Sequence, residues 1–207
     1  MTTLEHTLVG IHVAIACGMH QRFGWPAVAL SGLVSNLPDW DGLPMLVNMA
    51  RFEAGHRVWG HNFLWITISA SFVAWSQWRY HWLEKLANGM HRYLPQDVVI
   101  ENCRKATPYI WLYVLCFLAQ TVHLPCDILV SGGVGLSDWK IRPFWPFDDR
   151  GFVLALLPWG DIGPTIILMA GALVIAKHSG RRSFHAGMTI STLGVYMIIR
   201  GLMRGTL

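Results

Sequence analysis

Four short clusters of ionisable residues lie within or beside strongly apolar stretches of this chain. They are His6, Leu37–Asp41, His56–His61 and His123–Asp127. An ionisable side chain inside a membrane costs several kcal/mol, so it is seldom kept there without a use. Together the clusters supply four imidazoles and three carboxylates, the donor types that hard and borderline metal ions prefer. The pattern predicts a metal site embedded in a membrane protein.

The composition supports a membrane location. The 207 residues are 53% hydrophobic and only 14% charged, against roughly 25% charged in a soluble domain. Residues 58–78 run for 21 positions without Asp, Glu, Lys or Arg, and crossing a bilayer takes about 20. Further apolar runs cover residues 4–19, 25–37, 106–130, 162–176 and 186–199. We expect an all-α, polytopic membrane bundle of five to six helices, with residues 25–37 tilted or re-entrant because they are too short to cross upright.

The chain reads as one integral membrane domain over residues 1–207. The site-bearing part covers 1–150, and additional membrane helices lie within 161–204. The loop at 79–105 is predicted to be a soluble amphipathic connector, and the Gly-, Pro- and aromatic-rich loop at 131–160 to be a rigid cover at the interface. The net charge of +4 is spread over the loops, which gives no case for nucleic acid binding.

The order of the apolar runs predicts that the clusters converge. If the first two runs both cross, or form a hairpin, the N-terminus and the loop at 38–57 share one side. The next span leaves from that loop and the span at 106–130 returns to it, so all four clusters fall near one membrane face. Seven Lys and Arg lie on that side and nine on the other. The positive-inside bias therefore places the site on the non-cytoplasmic side.

Spacing within the clusters suggests roles for individual residues. His123 and Asp127 are four apart and share one helix face; they either bind one ion or hydrogen-bond to each other. Asp39 and Asp41 follow Pro38, which disfavours helix before it; they form either a solvated turn or a cation site. Asp39 is the expected ligand there, with Asp41 a second ligand or the orienter of a histidine.

The remaining candidates surround the segment 56–61. His56 and His61 are five apart, about 140° around an ideal helix, so either the segment is irregular or only one of them binds the ion. Arg57 is a candidate clamp for developing negative charge, and His6 shares the predicted face. The predicted metal ligands are thus His6, Asp39, His61, His123 and Asp127. The predicted catalytic residues are His56, Arg57 and Asp41.

As a set, these motifs resemble the YdjM-type family of inner-membrane metal-dependent hydrolases. The family pattern is an N-terminal His, an L-P-D-x-D loop, an H-R-x-x-x-H segment and an H-x-x-x-D helix followed by a Gly turn and Trp-Pro. Here it corresponds to His6, 37–41, 56–61, 123–127, 131–133 and 145–146. The family is similar in turn to zinc phospholipase C and single-strand nuclease enzymes. That similarity implies one metal on Asp39, His56 or His61, His123 and Asp127, with Asp127 bridging to a second ion near His6.

The expected function is metal-assisted hydrolysis at a bacterial-type inner membrane. A divalent metal, Zn²⁺ first and Mn²⁺ second, as one or two ions, would activate water toward a phosphoester of a lipid or lipid-linked substrate. Two alternatives use the same residues: a proton- or cation-translocating protein, and a scaffold in which metal only locks helices together. The sequence leaves the substrate and the oligomeric state open.

Overall fold

The computed structural model describes residues 1–48, 51–52, 55–90, 107–133 and 138–206. Within these ranges the chain is helical, and its only β-type pairings are isolated bridges in the loop after residue 129. The predicted helical class is therefore confirmed. The helices are α1 (Thr3–Ala16), α2 (Met19–Arg22), α3 (Trp25–Val34), a 3₁₀ helix (Leu37–Leu46), α4 (Phe63–Tyr80), α5 (Trp82–Met90), α6 (Tyr109–Leu129), α7 (Ile162–Lys177), a 3₁₀ turn (Ser179–Arg181) and α8 (Arg182–Arg204).

Two described helical stretches are long and apolar enough to cross a membrane, Tyr109–Leu129 and Ser179–Arg204. Three more apolar helices, α1, α3 and α7, have 10 to 17 residues. Helix α4 is not among these five, because its last turns carry polar side chains that lower its mean hydropathy. The five to six membrane helices predicted from the sequence thus stay a prediction. The connector predicted at 79–105 starts with the last two residues of α4 and continues with α5, and its residues 91–105 lie outside the described ranges.

Local signals explain where several helices begin. Thr2 and Glu5 form a capping box at the start of α1, which satisfies two backbone N–H groups reciprocally. The Asn62 side chain accepts from the Trp65 N–H at the start of α4, and Asp161 accepts from the Gly163 N–H at the start of α7. These caps fix both helix starts close to the site-bearing loops.

Helix α1 lies at the centre of the bundle, where it packs against α3, α6, α7 and α8. A Cβ at Gly10 would come within 2.8 Å of the Ser31 carbonyl oxygen, so this glycine allows α1 and α3 to approach closely. Small buried residues, including Ala70 and Ala119, likewise line the contact of α4 with α6. Close helix contacts of this kind favour association within a membrane.

The packing brings one end of several elements together. The start of α1, the 3₁₀ helix after α3, the segment before α4 and the end of α6 meet at one end of the bundle. The loop after α6 covers this end: the Phe63 N–H donates to the Pro143 carbonyl, and Ile141 and Phe152 exchange backbone hydrogen bonds. The predicted convergence of the clusters is therefore present in the fold.

Candidate metal centre

Four donor atoms from three parts of the chain lie close together. They are Oδ1 of Asp39, Nε2 of His61, Nε2 of His123 and Oδ2 of Asp127. Nε2 of His61 lies 3.0 Å from Nε2 of His123, 3.5 Å from Asp39 Oδ1 and 3.3 Å from Asp127 Oδ2. Nε2 of His123 lies 3.4 and 3.5 Å from the same two oxygens. Bonds of about 2.0–2.1 Å to a tetrahedral ion place neighbouring ligand atoms about 3.3 Å apart, so this spacing fits such an ion.

His6 extends the group on the other side of Asp127. Its Nε2 lies 3.1 Å from Asp127 Oδ1, and its ring stacks on His123 with centroids 3.5 Å apart. Ligand atoms of His6, Asp39, His123 and Asp127 all lie within 4.8 Å of one another. The two oxygens of Asp127 therefore face different partners: Oδ1 faces His6 and the Met1 ammonium, and Oδ2 faces His61 and His123.

The hydrogen bonds of the two central histidines set their tautomers. Nδ1 of His123 is 2.7 Å from the Ser35 carbonyl oxygen, which only accepts, so Nδ1 carries the proton. Nδ1 of His61 is 3.0 Å from Oδ2 of Asp41 and donates to that carboxylate. In the form with both rings neutral, the two Nε2 lone pairs face each other. A cation between them removes this repulsion, and the adjacent carboxylates of Asp39 and Asp127 favour its binding.

Asp41 lies behind His61, outside the four donors. It is fully buried and also accepts from the Gly60 N–H at 2.9 Å. Burial alone would raise the pKa of the Asp41 carboxyl, but hydrogen bonds from His56 and His61 lower the pKa to about 2. Asp41 is thus ionised at neutral pH and orients His61, as a carboxylate does behind many metal-bound histidines.

His56 contacts Asp41 and not the four donor atoms. Its Nδ1 is 3.3 Å from Oδ1 of Asp41, and its ring stacks on Phe52 and meets Trp139 edge-on. Residues 56–62 form turns and bends, with Arg57 at a φ of 61°. This irregular backbone lets His56 and His61 approach opposite oxygens of one carboxylate, which a regular helix would not allow.

Arg57 is buried and holds the end of α6. Its guanidinium donates to the carbonyl oxygens of Asp127 at 2.8 Å and Val130 at 3.0 Å, and its Nε is 3.2 Å from Asp127 Oδ2. The last carbonyls of a helix have no partner within the helix, so Arg57 satisfies them. The charge-clamping role predicted for Arg57 from the sequence stays a prediction, beside these contacts with the protein.

Two features of the site were missed in the sequence. The Ser35 carbonyl that orients His123 is a backbone group, so no residue type signals it. Gly60 allows the segment before α4 to press against the loop at 37–41: a Cβ there would lie 1.9 Å from the Pro38 carbonyl oxygen. The sequence did signal this close approach: Gly60 directly precedes the candidate ligand His61, and glycine is common where a backbone must approach another closely.

Among the described donors, Asp39 is the exposed one. The side chain of Asp39 is 24% exposed, whereas those of His6, His61, His123 and Asp127 are at most 2% exposed. Burial acts to raise the pKa of the Asp39 carboxyl, but the neighbouring His123 and His61 hold this pKa below its ordinary value. Asp39 is therefore an ionised oxygen ligand at the mouth of the site.

All eight residues predicted for the site thus lie at one end of the bundle. Four of them present ligand atoms to the centre and His6 adjoins it through Asp127, whereas Asp41, His56 and Arg57 contact these five residues or one another.

Comparison with known proteins places this arrangement in a family. No curated protein and no solved structure matches the chain. The family model described as YdjM inner membrane protein matches residues 1–205, nearly the whole chain. The resemblance noted over the first 150 residues therefore extends through the last two helices, and the chain belongs to the family of YdjM inner membrane proteins.

Proposed function

We propose that this protein is a membrane-embedded, metal-dependent hydrolase that cleaves a phosphoester of a lipid or lipid-linked substrate. The observation that carries the proposal is the pair of facing Nε2 atoms of His61 and His123, 3.0 Å apart, with carboxylate oxygens of Asp39 and Asp127 beside both. Two imidazole nitrogens and two carboxylate oxygens form a donor set that suits Zn²⁺ first and Mn²⁺ second.

Each neighbouring residue has a proposed task. When bound, a divalent ion supplies Lewis acidity, which polarises a phosphoryl oxygen and makes water a stronger nucleophile at neutral pH. Asp41 fixes the tautomer of His61, and His56, on the other oxygen of Asp41, is the nearest further proton carrier. Arg57 positions Asp127. A second ion on His6 and Asp127 Oδ1 would take the place that the Met1 ammonium holds beside that oxygen in this structure.

Membership in an inner membrane family and the placement of the site support a lipid substrate. The donors lie at the ends of apolar helices, and Asp39 is the ligand exposed at the opening. We propose that α4 and the shorter helices α1, α3 and α7 are embedded alongside α6 and α8, which gives five to six membrane helices. By the charge bias of the loops, the site faces the non-cytoplasmic side.

Proton or cation translocation is the second candidate, and it has one observation in its favour. His12 on α1 and Gln120 on α6 are fully buried, and Nε2 of each has no partner among the described residues. They lie about 9–10 Å along their helices from His6 and Asp127. Buried polar groups at such depth are common on ion pathways. Metal-dependent proton flux in liposomes, without hydrolysis, would favour this candidate.

Metal content and phosphate release test the proposal together. Protein purified in mild detergent, wild type and Asp127→Asn, is measured by elemental mass spectrometry, with His178→Ala as the matched control because His178 is exposed and far from the site in sequence. We expect one or two zinc or manganese ions per wild-type and control chain and loss of metal in Asp127→Asn. Phosphate release from phosphatidic acid, a lipid phosphomonoester, and cleavage of a phosphodiester phospholipid are then followed.

The outcomes separate the candidates. Metal with hydrolysis, both lost in Asp127→Asn, supports the proposed function. No metal after reconstitution with Zn²⁺ and Mn²⁺ overturns it. Metal bound without cleavage of either lipid class contradicts the hydrolase and leaves the ion as a structural lock between helices.

A further inference from the structure

We propose that a groove along the outer face of α4 binds one acyl chain of the lipid whose phosphoester reaches the metal centre. This inference rests on the proposed function, since it names the part of the protein that selects a lipid. The groove begins at residues adjacent in sequence to the metal ligands and continues down the helix.

The upper part of the groove is aromatic. Four tryptophans, Asn62, Leu64 and Ile68 line an open hollow of about 380 Å³. Trp40 stands between Asp39 and Asp41 in the chain, and its ring lies 5.1 Å from that of Trp65. Trp59 precedes His61 by two residues, and Trp145 of the covering loop closes the rim. The upper part of the groove is thus lined by a direct chain neighbour of the exposed ligand Asp39.

The lower part continues from the same residue. Ile68 also lines a second hollow of about 510 Å³ that runs past Phe72 and Trp75 to Tyr109. From Leu64 to Trp75 the helix rises about 16 Å. The hydrocarbon core of a bilayer is about 30 Å thick, so the two hollows, which share Ile68, together have about the length of one leaflet, which is the length of one lipid tail.

The chemistry of the lining selects hydrocarbon over a polar occupant. None of the described lining residues is Asp, Glu, Lys or Arg. The Asn62 amide is already used: it donates to the Val58 and Trp59 carbonyls, and its oxygen accepts from the Trp65 N–H. A peptide or sugar in this groove would leave its polar groups without partners. A lipid tail has none, and its phosphate end would lie at Asp39.

A photoreactive lipid and one matched pair of variants test the inference. The probe is phosphatidic acid with a diazirine in the middle of one acyl chain, in bilayer nanodiscs with the full-length protein. Ile68→Trp fills the junction of the two hollows; Ile68 is 54% exposed, so the larger ring needs no core space. Ile198→Trp on α8 is the control, because Ile198 is 52% exposed and outside the groove.

We expect cross-links to concentrate on residues 59–75 of the wild type and the control. In Ile68→Trp they should fall about tenfold, equivalent to about 1.4 kcal/mol, with metal content unchanged. Cross-links spread evenly over α4, α7 and α8 would overturn the inference and indicate ordinary boundary lipid. Loss of the lipid cross-links because a second copy of the chain occupies the groove would overturn the inference as well. Because the readout needs no hydrolysis, a protein without metal or activity would contradict the proposed function and leave this result standing.

Discussion

Nε2 of His61 and Nε2 of His123 face one another at 3.0 Å, although 62 residues separate the two histidines in the chain. Each ring is fixed from behind, His61 by the Asp41 carboxylate and His123 by the Ser35 carbonyl. The fold thus fixes the ring orientations, and a proton or a metal cation between the two Nε2 atoms would remove the repulsion of their lone pairs. The predictions below test how the surrounding residues maintain this geometry.

Asp41→Asn is expected to weaken metal binding without removing a ligand. The amide retains the shape of the carboxylate but loses the charge that holds the His61 tautomer, and loss of such an orienting group lowers metal affinity about 10–100-fold. The measurement is competition with a chelator in detergent. Asp149→Asn is the control, because the Asp149 side chain is 80% exposed. Equal affinity in the two variants would show that Asp41 has no orienting role.

Gly60→Ala is expected to disrupt the site, because its Cβ would meet the Pro38 carbonyl oxygen at 1.9 Å. Overpacking of this kind costs about 1–3 kcal/mol, and the shift would carry the adjacent His61 with it. We expect a lower Tm and reduced metal content. Gly187→Ala on α8 has no atom within 4 Å of its Cβ, so Tm should hold or rise. Equal behaviour of the two variants would contradict the close approach.

Arg57→Lys separates a structural role of Arg57 from a catalytic one. Lysine keeps the charge but cannot reach the Asp127 and Val130 carbonyls and the Asp127 carboxylate at once. Breaking such a buried network costs about 3–5 kcal/mol, or roughly ten degrees in Tm for a chain of this size. Arg150→Lys, on an exposed arginine, is the control. An unchanged Tm together with a loss of hydrolysis would support the charge-stabilising role that the sequence predicts for Arg57.

Asp161→Asn should destabilise the protein in a pH-dependent way. Asp161 caps α7 and accepts from the Tyr196 hydroxyl and the Arg200 guanidinium. Burial acts to raise the pKa of Asp161, but hydrogen bonds from the Tyr196 hydroxyl, the Gly163 N–H and the Arg200 guanidinium lower this pKa below its ordinary value of 3.8. A depressed folded-state pKa contributes stability that is full above pH 3.8 and is lost as the pH falls through the folded-state value.

The difference in Tm between wild type and Asp161→Asn therefore has a predicted pH profile. At pH 7 we expect a loss of about 1–2 kcal/mol, discounted for the partial exposure of Arg200. The difference should shrink as the pH is lowered below 3.8, where the wild-type carboxyl is protonated too. A Tm difference that stays constant across this range would show that the charge of Asp161 adds nothing to stability.

The helical class and the location of the site followed from local sequence. Apolar runs predict helices because their length and composition are local properties, and Tyr109–Leu129 and Ile162–Lys177 agree with the predicted runs to within a few residues. Convergence of the clusters was predicted from chain order alone, since a pair of crossings would return the chain to the side from which it left. Family membership over residues 1–205 is consistent with this order.

The role of each residue within the site depended on tertiary structure. Spacing left open whether His56 or His61 faces the other donors, because the answer depends on the positive φ of Arg57 and the irregular turn that follows. Residue type left open whether Asp41 is a ligand or an orienter, and what Arg57 binds. Those contacts join segments 19 to 73 residues apart. Local sequence specifies which donors exist, and only the packing of distant segments decides which atom each donor faces.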